Sequence, residues 1–222
     1  MIVINLKTYE QAFGAKAVRI AEACAKISKK YGLKIAVCPQ AADIRMVREK
    51  TDAVIFAQHV DAYPFGKYTG WINIETMMDA GITGSLINHS EHKLGLEAIK
   101  QRIERCKQLG LVTVVCTADI EEAQQILNFQ PDFIAIEPPE LIGGNVSVSS
   151  ARPELIANAA KLQTETTRLL VGAGVRTAVD VETALRLGAV GILSASEVAK
   201  SANPEEILER FASAFLKFKT KV

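Results

Sequence analysis

The sequence has no surplus of either charge. Its 222 residues include 26 lysines and arginines against 25 aspartates and glutamates, a formal net charge of +1. Proteins that bind nucleic acid or an anionic membrane surface usually carry a basic excess, and the closing stretch KFKTK is too short to provide one. The sequence therefore predicts neither nucleic acid nor a membrane as a partner.

Long apolar runs and targeting signals are also missing. No segment approaches the length of a membrane span, and the opening stretch MIVINLKTYE has neither a basic start nor a long apolar run. We therefore expect no signal peptide and a cytoplasmic protein. No pair of cysteines forms a CxxC motif, which favours buried free thiols in a reducing compartment; the four are Cys24, Cys38, Cys106 and Cys116.

Several motifs of metal and cofactor chemistry are absent. The chain has no ligand cluster spaced for zinc and no GxSxG nucleophile motif, and GAGVRT lacks the third glycine of a dinucleotide-binding loop. The sequence therefore predicts an activity that uses no metal and no cofactor.

Apolar strand-like runs recur through the chain, and each is followed by a segment that can hold a helix. Such continuous runs are typical of a parallel sheet that is covered on both faces. The predicted strands are residues 2–6, 34–38, 53–58, 84–88, 112–116, 133–137, 169–173 and 191–195. Helical periodicity is clearest in AVRIAEACAKISKKYG, which ends on Gly32, and in IEEAQQILNF, which follows Asp119 as a good N-cap.

Eight strand–helix units in 222 residues, 49% of them hydrophobic, favour one closed (β/α)₈ barrel, the TIM-barrel class of α/β fold. An open doubly wound sheet is the alternative. No linker or shift in composition divides the chain, so we expect a single domain over residues 1–222.

The stretch FIAIEPPELIGGN combines a buried strand, a carboxylate, two prolines and two glycines. Pro138 and Pro139 fix the backbone and hold Glu137 extended, whereas Gly143 and Gly144 supply freedom. A general base beside a mobile lid would need this combination. An ordinary strand-to-helix loop would fit it equally well.

Further polar residues follow other predicted strands. In a barrel the carboxyl ends of the strands form one rim, where active sites lie. The residues are Asn5 and Lys7 after strand 1, Gln58 and His59 after strand 3, and Asn88, His89, Ser90 and Glu91 after strand 4. Each has an ordinary interpretation: Lys7 as a solvated rim charge, His89 as a core histidine. Their collection on one rim favours a shared function.

The loops after strands 7 and 8 favour a phosphate ligand. Glycine-rich loops present backbone N–H groups to anions, and barrels often hold phosphate with these two loops. Gly143, Gly144 and Gly174 are candidates for this role, although each glycine could instead serve a tight turn.

Taken together, these motifs resemble the triosephosphate isomerase family in its short archaeal form. The resemblance covers essentially the whole chain. It rests on NLK, YTG, NHSE, IEPPELIGG, GAGV and GILSAS, each beside the expected strand. It implies interconversion of dihydroxyacetone phosphate and glyceraldehyde 3-phosphate through an enediolate. The family is itself the usual example of a glutamate base with a neutral histidine, and of lid closure.

The resemblance also implies a role for each matching residue. Glu137 would be the base and His89 the electrophile. Lys7 would stabilise the developing oxyanion, Asn5 would donate a hydrogen bond beside it, and Glu91 would orient Lys7. Backbone N–H groups for the phosphate would come from Gly143, Gly174, Ala195 and Ser196. The lid would comprise Pro138, Pro139, Glu140, Leu141, Ile142, Gly143 and Gly144. Thr69 would enter the site of a second subunit, so a homodimer or homotetramer is expected.

The chain departs from the family pattern at two places. His92 and Lys93 stand where two arginines are usual, and Glu197 stands where a glycine is usual. We expect the first change to be structural, and we interpret His59 and His92 as structural residues. We expect the Glu197 side chain to turn away from the phosphate and to cap the short helix that follows.

Two other functions remain open at this level: another enzyme that binds phosphate in a barrel, and a barrel without activity that serves binding or assembly. The compact lid and the pair of His89 and Glu137 argue against the first, and the presence of Lys7, His89 and Glu137 argues against the second.

Overall fold

The computed structural model describes residues 1–141 and 147–219. Its strands are β1 to β8, at Ile2–Asn5, Ile35–Cys38, Val54–Ala57, Gly84–Ile87, Val112–Thr117, Phe133–Ile136, Arg168–Val171 and Gly191–Ser194. All eight predicted strands are confirmed, most of them ending one or two residues early. Asn5 is the last residue of β1, and the other predicted polar residues lie just beyond their strands, in the loops at the rim.

The strands form one closed parallel barrel in sequence order, because β1 pairs with both β2 and β8. The predicted TIM-barrel fold is confirmed, and the open doubly wound alternative is wrong. Parallel strands need a crossover between neighbours, and here helices supply it. The helices, α1 to α10, are Ala15–Tyr31, Ile44–Lys50, Ile74–Ala80, Leu96–Gln108, Ile120–Leu127, Val148–Ala151, Pro153–Ala160, Ala178–Arg186, Ser196–Ala199 and Pro204–Lys219.

Local signals in the sequence account for several helix ends. Gly32 ends α1 in the left-handed conformation, with φ 59°, which costs glycine little. Asp119 begins α5, and its side chain accepts a hydrogen bond from the Glu122 N–H. At α8 the cap is Thr177, which forms a reciprocal capping box with Asp180.

Alternation along each strand divides the core into two layers. Val3, Phe56 and Leu86 point into the barrel, whereas Ile2 and Ile4 pack outward against the helices. All five side chains are fully buried. This two-sided burial explains why the strands are continuous apolar runs. The packed strands in turn hold the positions of the loops at their carboxyl ends.

The four cysteines are buried free thiols, as predicted. In the part of the chain that the structure describes, no helix is long and apolar enough to cross a membrane. Across the same residues, no group of three or more histidine, cysteine, aspartate or glutamate side chains is arranged to hold a metal ion.

Candidate active site

A cleft of about 500 Å³ opens at the carboxyl end of the barrel. The structure brings together in its lining most of the residues predicted to act on substrate. These are Asn5, Lys7, His89, Glu137, Gly174, Ala195 and Ser196. Tyr9, Val175 and Arg176 also line it. Val175 belongs to the GAGV motif, whereas Tyr9 and Arg176 were not predicted.

Glu137 follows β6 directly and lies at the floor of this cleft. Its side chain is only 6% exposed, and its Oε2 atom is buried without a hydrogen-bond partner in the described structure. Such an atom is costly to bury unless a ligand completes it. The backbone N–H of Glu137 donates to the Thr117 carbonyl at 2.8 Å, so the main chain beneath the carboxylate is fixed by β5.

Gly172, just after β7, makes room for this carboxylate. A Cβ atom added at Gly172 would stand 2.7 Å from Glu137 Cδ and 2.5 Å from its Oε1. Only glycine therefore fits beside the side chain in this position. The sequence contained the residue as the first glycine of GAG, but nothing in that motif indicated which side chain it would face.

His89 faces Glu137 across the cleft, with 3.9 Å between His89 Nε2 and Glu137 Oε2. The backbone N–H of Glu91 donates to His89 Nδ1 at 3.2 Å. Because Nδ1 accepts this bond, it carries a lone pair, and the proton of the neutral ring is on Nε2. The ring therefore presents an N–H donor to the cleft.

Lys7 brings a cation to the same space. Its Nζ donates to Glu91 Oε1 at 2.6 Å, and its own N–H donates to Asn5 Oδ1 at 2.9 Å. The Gln58 side chain donates to the Lys7 carbonyl at 2.9 Å and to the Cys38 carbonyl at 3.0 Å. Gln58 thus anchors the loop that carries Lys7, a role that its place after β3 alone did not reveal.

The loop after β4 is held by a network around Asn88. Its amide donates to the Cys116 carbonyl and to Glu122, both at 2.9 Å, and its oxygen accepts the Leu94 N–H. Lys93 also pairs with Glu122. The lysine that departs from the family pattern thus ties this loop to α5, which fits the structural role expected for it.

His92 stacks on His59, with 4.1 Å between the ring centroids. His59 Nε2 lies 3.0 Å from Asp61 Oδ1, and the same carboxylate pairs with the buried Arg102. Burial lowers the pKa of His59, against the opposing influence of Asp61. These contacts fit the structural interpretation of both histidines.

Glu197 does not cap the helix after β8, so that expectation is wrong. It lies in the first turn of α9, but its Oε2 accepts a hydrogen bond from Arg176 Nε at 3.2 Å. Among the described residues, no backbone N–H donates to its carboxylate. The arginine on the neighbouring loop contributes a positive charge of its own to this hydrogen bond, which a backbone amide does not.

The predicted lid lies only partly within the described structure. Pro139–Leu141 forms a turn of 3₁₀ helix, and Glu140 accepts a hydrogen bond from Arg152 at 2.9 Å. Ile142 and Gly144 lie outside the described residues. So does Gly143, which was predicted both as a lid residue and as a phosphate contact.

Thr69 stands on the exposed loop after β3. The same loop carries several exposed aromatic side chains, of which Phe65 is 75% and Trp71 is 52% exposed. Tyr63 stacks on Tyr68 and meets Trp71 edge to face. These ring contacts connect different parts of the loop, and apolar surface of its aromatic side chains remains exposed.

Comparison with known proteins gives one consistent result. The family model described as triosephosphate isomerase matches residues 1–211. A triosephosphate isomerase of Methanocaldococcus jannaschii is 43% identical over 211 residues, covering 94% of this chain and 96% of that protein. One from Saccharolobus solfataricus is also 43% identical, covering 98% and 96%. The crystal structure of the Bartonella henselae enzyme superposes with a TM-score of 0.76 at 18% identity, covering 97% and 98% of the two chains, which supports the fold.

Proposed function

The chain belongs to the triosephosphate isomerase family and is an isomerase, and on that premise we propose that it interconverts dihydroxyacetone phosphate and glyceraldehyde 3-phosphate with Glu137 as the base. The observation that carries this mechanism is the buried Glu137 Oε2 atom, which has no hydrogen-bond partner in the described structure and faces His89 Nε2 at 3.9 Å. A substrate bound against this pair would meet a proton acceptor and a hydrogen-bond donor side by side.

The reaction begins with removal of a proton from the carbon next to the carbonyl. Glu137 accepts it, and the electron pair moves onto the carbonyl oxygen to give an enediolate. The hydroxyl proton passes from the first oxygen to the second, and the same carboxyl group returns its proton to the carbon that had carried the carbonyl. The carbonyl is thereby re-formed on the neighbouring carbon. A carboxylate held within contact distance of the carbon makes this transfer efficient, because orientation is settled before the reaction.

His89 and Lys7 stabilise the oxyanion that develops. His89 Nε2–H donates to the substrate oxygen without carrying a full charge, and the Lys7 ammonium adds a fixed positive charge. Glu91 orients Lys7, and Asn5 supports the same loop. Dipoles and charges that are already in position act strongly in a site from which water is excluded.

The phosphate group occupies the end of the cleft formed by the loops after β7 and β8. Gly174, Ala195 and Ser196 line this end and offer backbone N–H groups. Ser194 Oγ donates to the Val175 carbonyl at 3.0 Å, which ties the two loops together. The substrate then spans the cleft from this end to Glu137.

A Glu137→Gln variant tests the mechanism. It keeps the shape of the side chain and removes the proton acceptor, so turnover of either triose phosphate should fall by about 10²–10⁴-fold or more. Glu121→Gln, on the exposed first turn of α5, is the matched control and should leave turnover unchanged. Near wild-type turnover in folded Glu137→Gln would overturn the assignment of the base.

Solvent isotope incorporation tests the reaction type. When the wild-type protein acts in D₂O, a proton shared with a carboxyl group exchanges with solvent, so NMR should detect deuterium on the product carbon. Product without any deuterium would point to a direct hydride shift. No turnover at all with either triose phosphate would leave the two alternatives, a different phosphate-binding enzyme or an inactive barrel.

The complete enzyme is a homodimer or homotetramer in which Thr69 contacts a second subunit. Support comes from the exposed aromatic loop and from a cleft of about 910 Å³ beside the active site, which Lys7, Gln58 and Glu91 line. A loop from another copy would cover this cleft and fix Lys7. Thr69→Arg should weaken association by light scattering and lower activity, with recovery at higher protein concentration.

Thr166→Arg is the control for this experiment, since it adds the same side chain at an exposed site before β7, at the opposite end of the barrel. Full activity in a Thr69→Arg variant that is demonstrably monomeric would remove the requirement for a second chain.

A further inference from the structure

We propose that Arg176 contacts the phosphate group of the substrate and that Glu197 is the residue that positions it. This inference rests on the proposed function, since it assigns the ligand of one end of the same cleft. It starts from the side chains that the loops after β7 and β8 bring together.

The Arg176–Glu197 pair joins these two loops at the rim of the cleft. Arg176 Nε donates to Glu197 Oε2 at 3.2 Å. The arginine side chain is 43% exposed and the glutamate side chain 27% exposed, so the pair is reachable from solvent. The pair therefore stands where an entering ligand can reach it.

The two members of the pair are not equivalent with respect to the cleft. Among the described residues that line it, Arg176 is included and Glu197 is not. The positive member of the pair therefore belongs to the described lining of the cleft, and the negative member does not. The guanidinium offsets the charge of Glu197, which weakens the repulsion that this carboxylate would otherwise exert on a dianion at this end.

The backbone of Arg176 is fixed independently of its side chain. Its N–H donates to Asp180 Oδ2 at 3.1 Å, and the Thr177 N–H donates to the same oxygen at 2.9 Å. The carbonyl of the preceding residue, Val175, accepts a hydrogen bond from the Ser194 hydroxyl at the end of β8. The Arg176 side chain therefore projects from a constrained backbone position two residues after Gly174.

The chemistry of arginine suits a phosphate at this place. Its planar guanidinium has five N–H donors, and charge-assisted bonds to phosphate are frequently bidentate. A long exposed arginine loses considerable side-chain freedom when it is ordered. Because Glu197 already holds it beside the cleft, less of that ordering remains when the ligand binds.

The experiment compares four variants with the wild type: Arg176→Ala, Arg176→Lys, Arg176→Ala/Glu197→Gln and Arg186→Ala. Arg186 is exposed at the far end of α8, so its removal changes the net charge equally without touching the cleft. For each protein, KM for the triose phosphates and Kd for inorganic phosphate are measured at low and high ionic strength. Circular dichroism verifies the fold.

Arg176→Ala should raise both constants about tenfold at low ionic strength, with a smaller change in kcat, and the effect should shrink in concentrated salt. Arg176→Lys should fall between that variant and the wild type. Adding Glu197→Gln to Arg176→Ala should recover about threefold, because the carboxylate left without its partner no longer repels the ligand. Arg186→Ala should match the wild type.

The proposal is overturned if Arg176→Ala binds inorganic phosphate within twofold of Arg186→Ala at low ionic strength. A loss of thermal stability with KM and Kd unchanged would likewise show a purely structural pair. Failure of the proposed function is distinguishable, because the wild type would then turn over neither triose phosphate while the phosphate Kd still reported on Arg176.

Discussion

Replacing Gly172 with alanine should displace the proposed base without disturbing the fold. Gly172 is not among the positive-φ glycines of the described chain, so alanine can adopt its backbone conformation. The added Cβ would lie 2.7 Å from Glu137 Cδ, whereas carbon atoms in contact are normally about 3.5–4.0 Å apart. The carboxyl group must therefore withdraw by roughly 1 Å.

This displacement gives the expected magnitude. A misplacement of about 1 Å in a reacting group can lower the rate by about a hundredfold, equivalent to about 2.7 kcal/mol in the activation free energy. The free energy of unfolding should fall by less than about 3 kcal/mol. The lost freedom of the unfolded chain stabilises by about 0.4–1 kcal/mol, and crowding costs about 1–3 kcal/mol.

Steady-state kinetics, thermal unfolding and binding of inorganic phosphate form the assay. Gly172→Ala should lower kcat about a hundredfold and leave the phosphate Kd within twofold. Gly95→Ala is the control, because Gly95 has φ −74° and open space where the methyl group would go. A folded Gly172→Ala variant with kcat within threefold of wild type would refute the claim that Glu137 acts from this position.

Three further predictions concern buried polar groups. Burial raises the pKa of the Cys24 and Cys106 thiols to about 12 and raises the pKa of the Cys38 and Cys116 thiols as well. The native protein should therefore not react with a thiol reagent at pH 8, whereas all four thiols should react in denaturant. A fast-reacting thiol in the native protein would contradict this. Burial lowers the pKa of His59 in the folded protein below its ordinary 6.5. The contribution of His59 to stability is therefore present above pH 6.5 and is lost as the pH falls through the folded-state pKa. Denaturation midpoints of the wild type and His59→Gln should diverge across that pH range, and parallel curves would exclude this contribution. Asp180→Asn should lower the free energy of unfolding, measured by urea titration, by about 1–2 kcal/mol. The reason is that Asp180 accepts hydrogen bonds from two backbone N–H groups at the start of α8. An unchanged urea midpoint would show that the capping box contributes nothing.

The sequence predicted the barrel well because its signals are local and repeated. Each strand is a short apolar run buried on both faces, and each is followed by a segment that can hold a helix. It also predicted which side chains stand on the rim, since Lys7, His89 and Glu137 lie within two residues of strand ends and a closed barrel gathers such positions. Only topology was needed to bring them together.

The features that the sequence did not reveal depend on contacts between distant segments. Gly172 and Glu137 are 35 positions apart in the numbering, and the need for glycine appears only when the side chain lies against it. Glu197 was predicted to cap its own helix from its place in the chain. The prediction failed because its partner, Arg176, stands on another loop. Propensity and periodicity describe neighbours along the chain, so they give no access to such pairs.

Backbone strain at the rim links the fold to the proposed chemistry. Of the described non-glycine residues, four have positive φ; three of them, Lys7, Asn88 and Ala173, follow β1, β4 and β7 on the same rim. Such conformations cost about 1–3 kcal/mol each and persist only where surrounding structure fixes them. Here the Asn5–Lys7 bond and the Asn88 network do so. The stability of the barrel therefore fixes the loops that carry Lys7 and His89, so these groups would need little reorganisation in the proposed reaction.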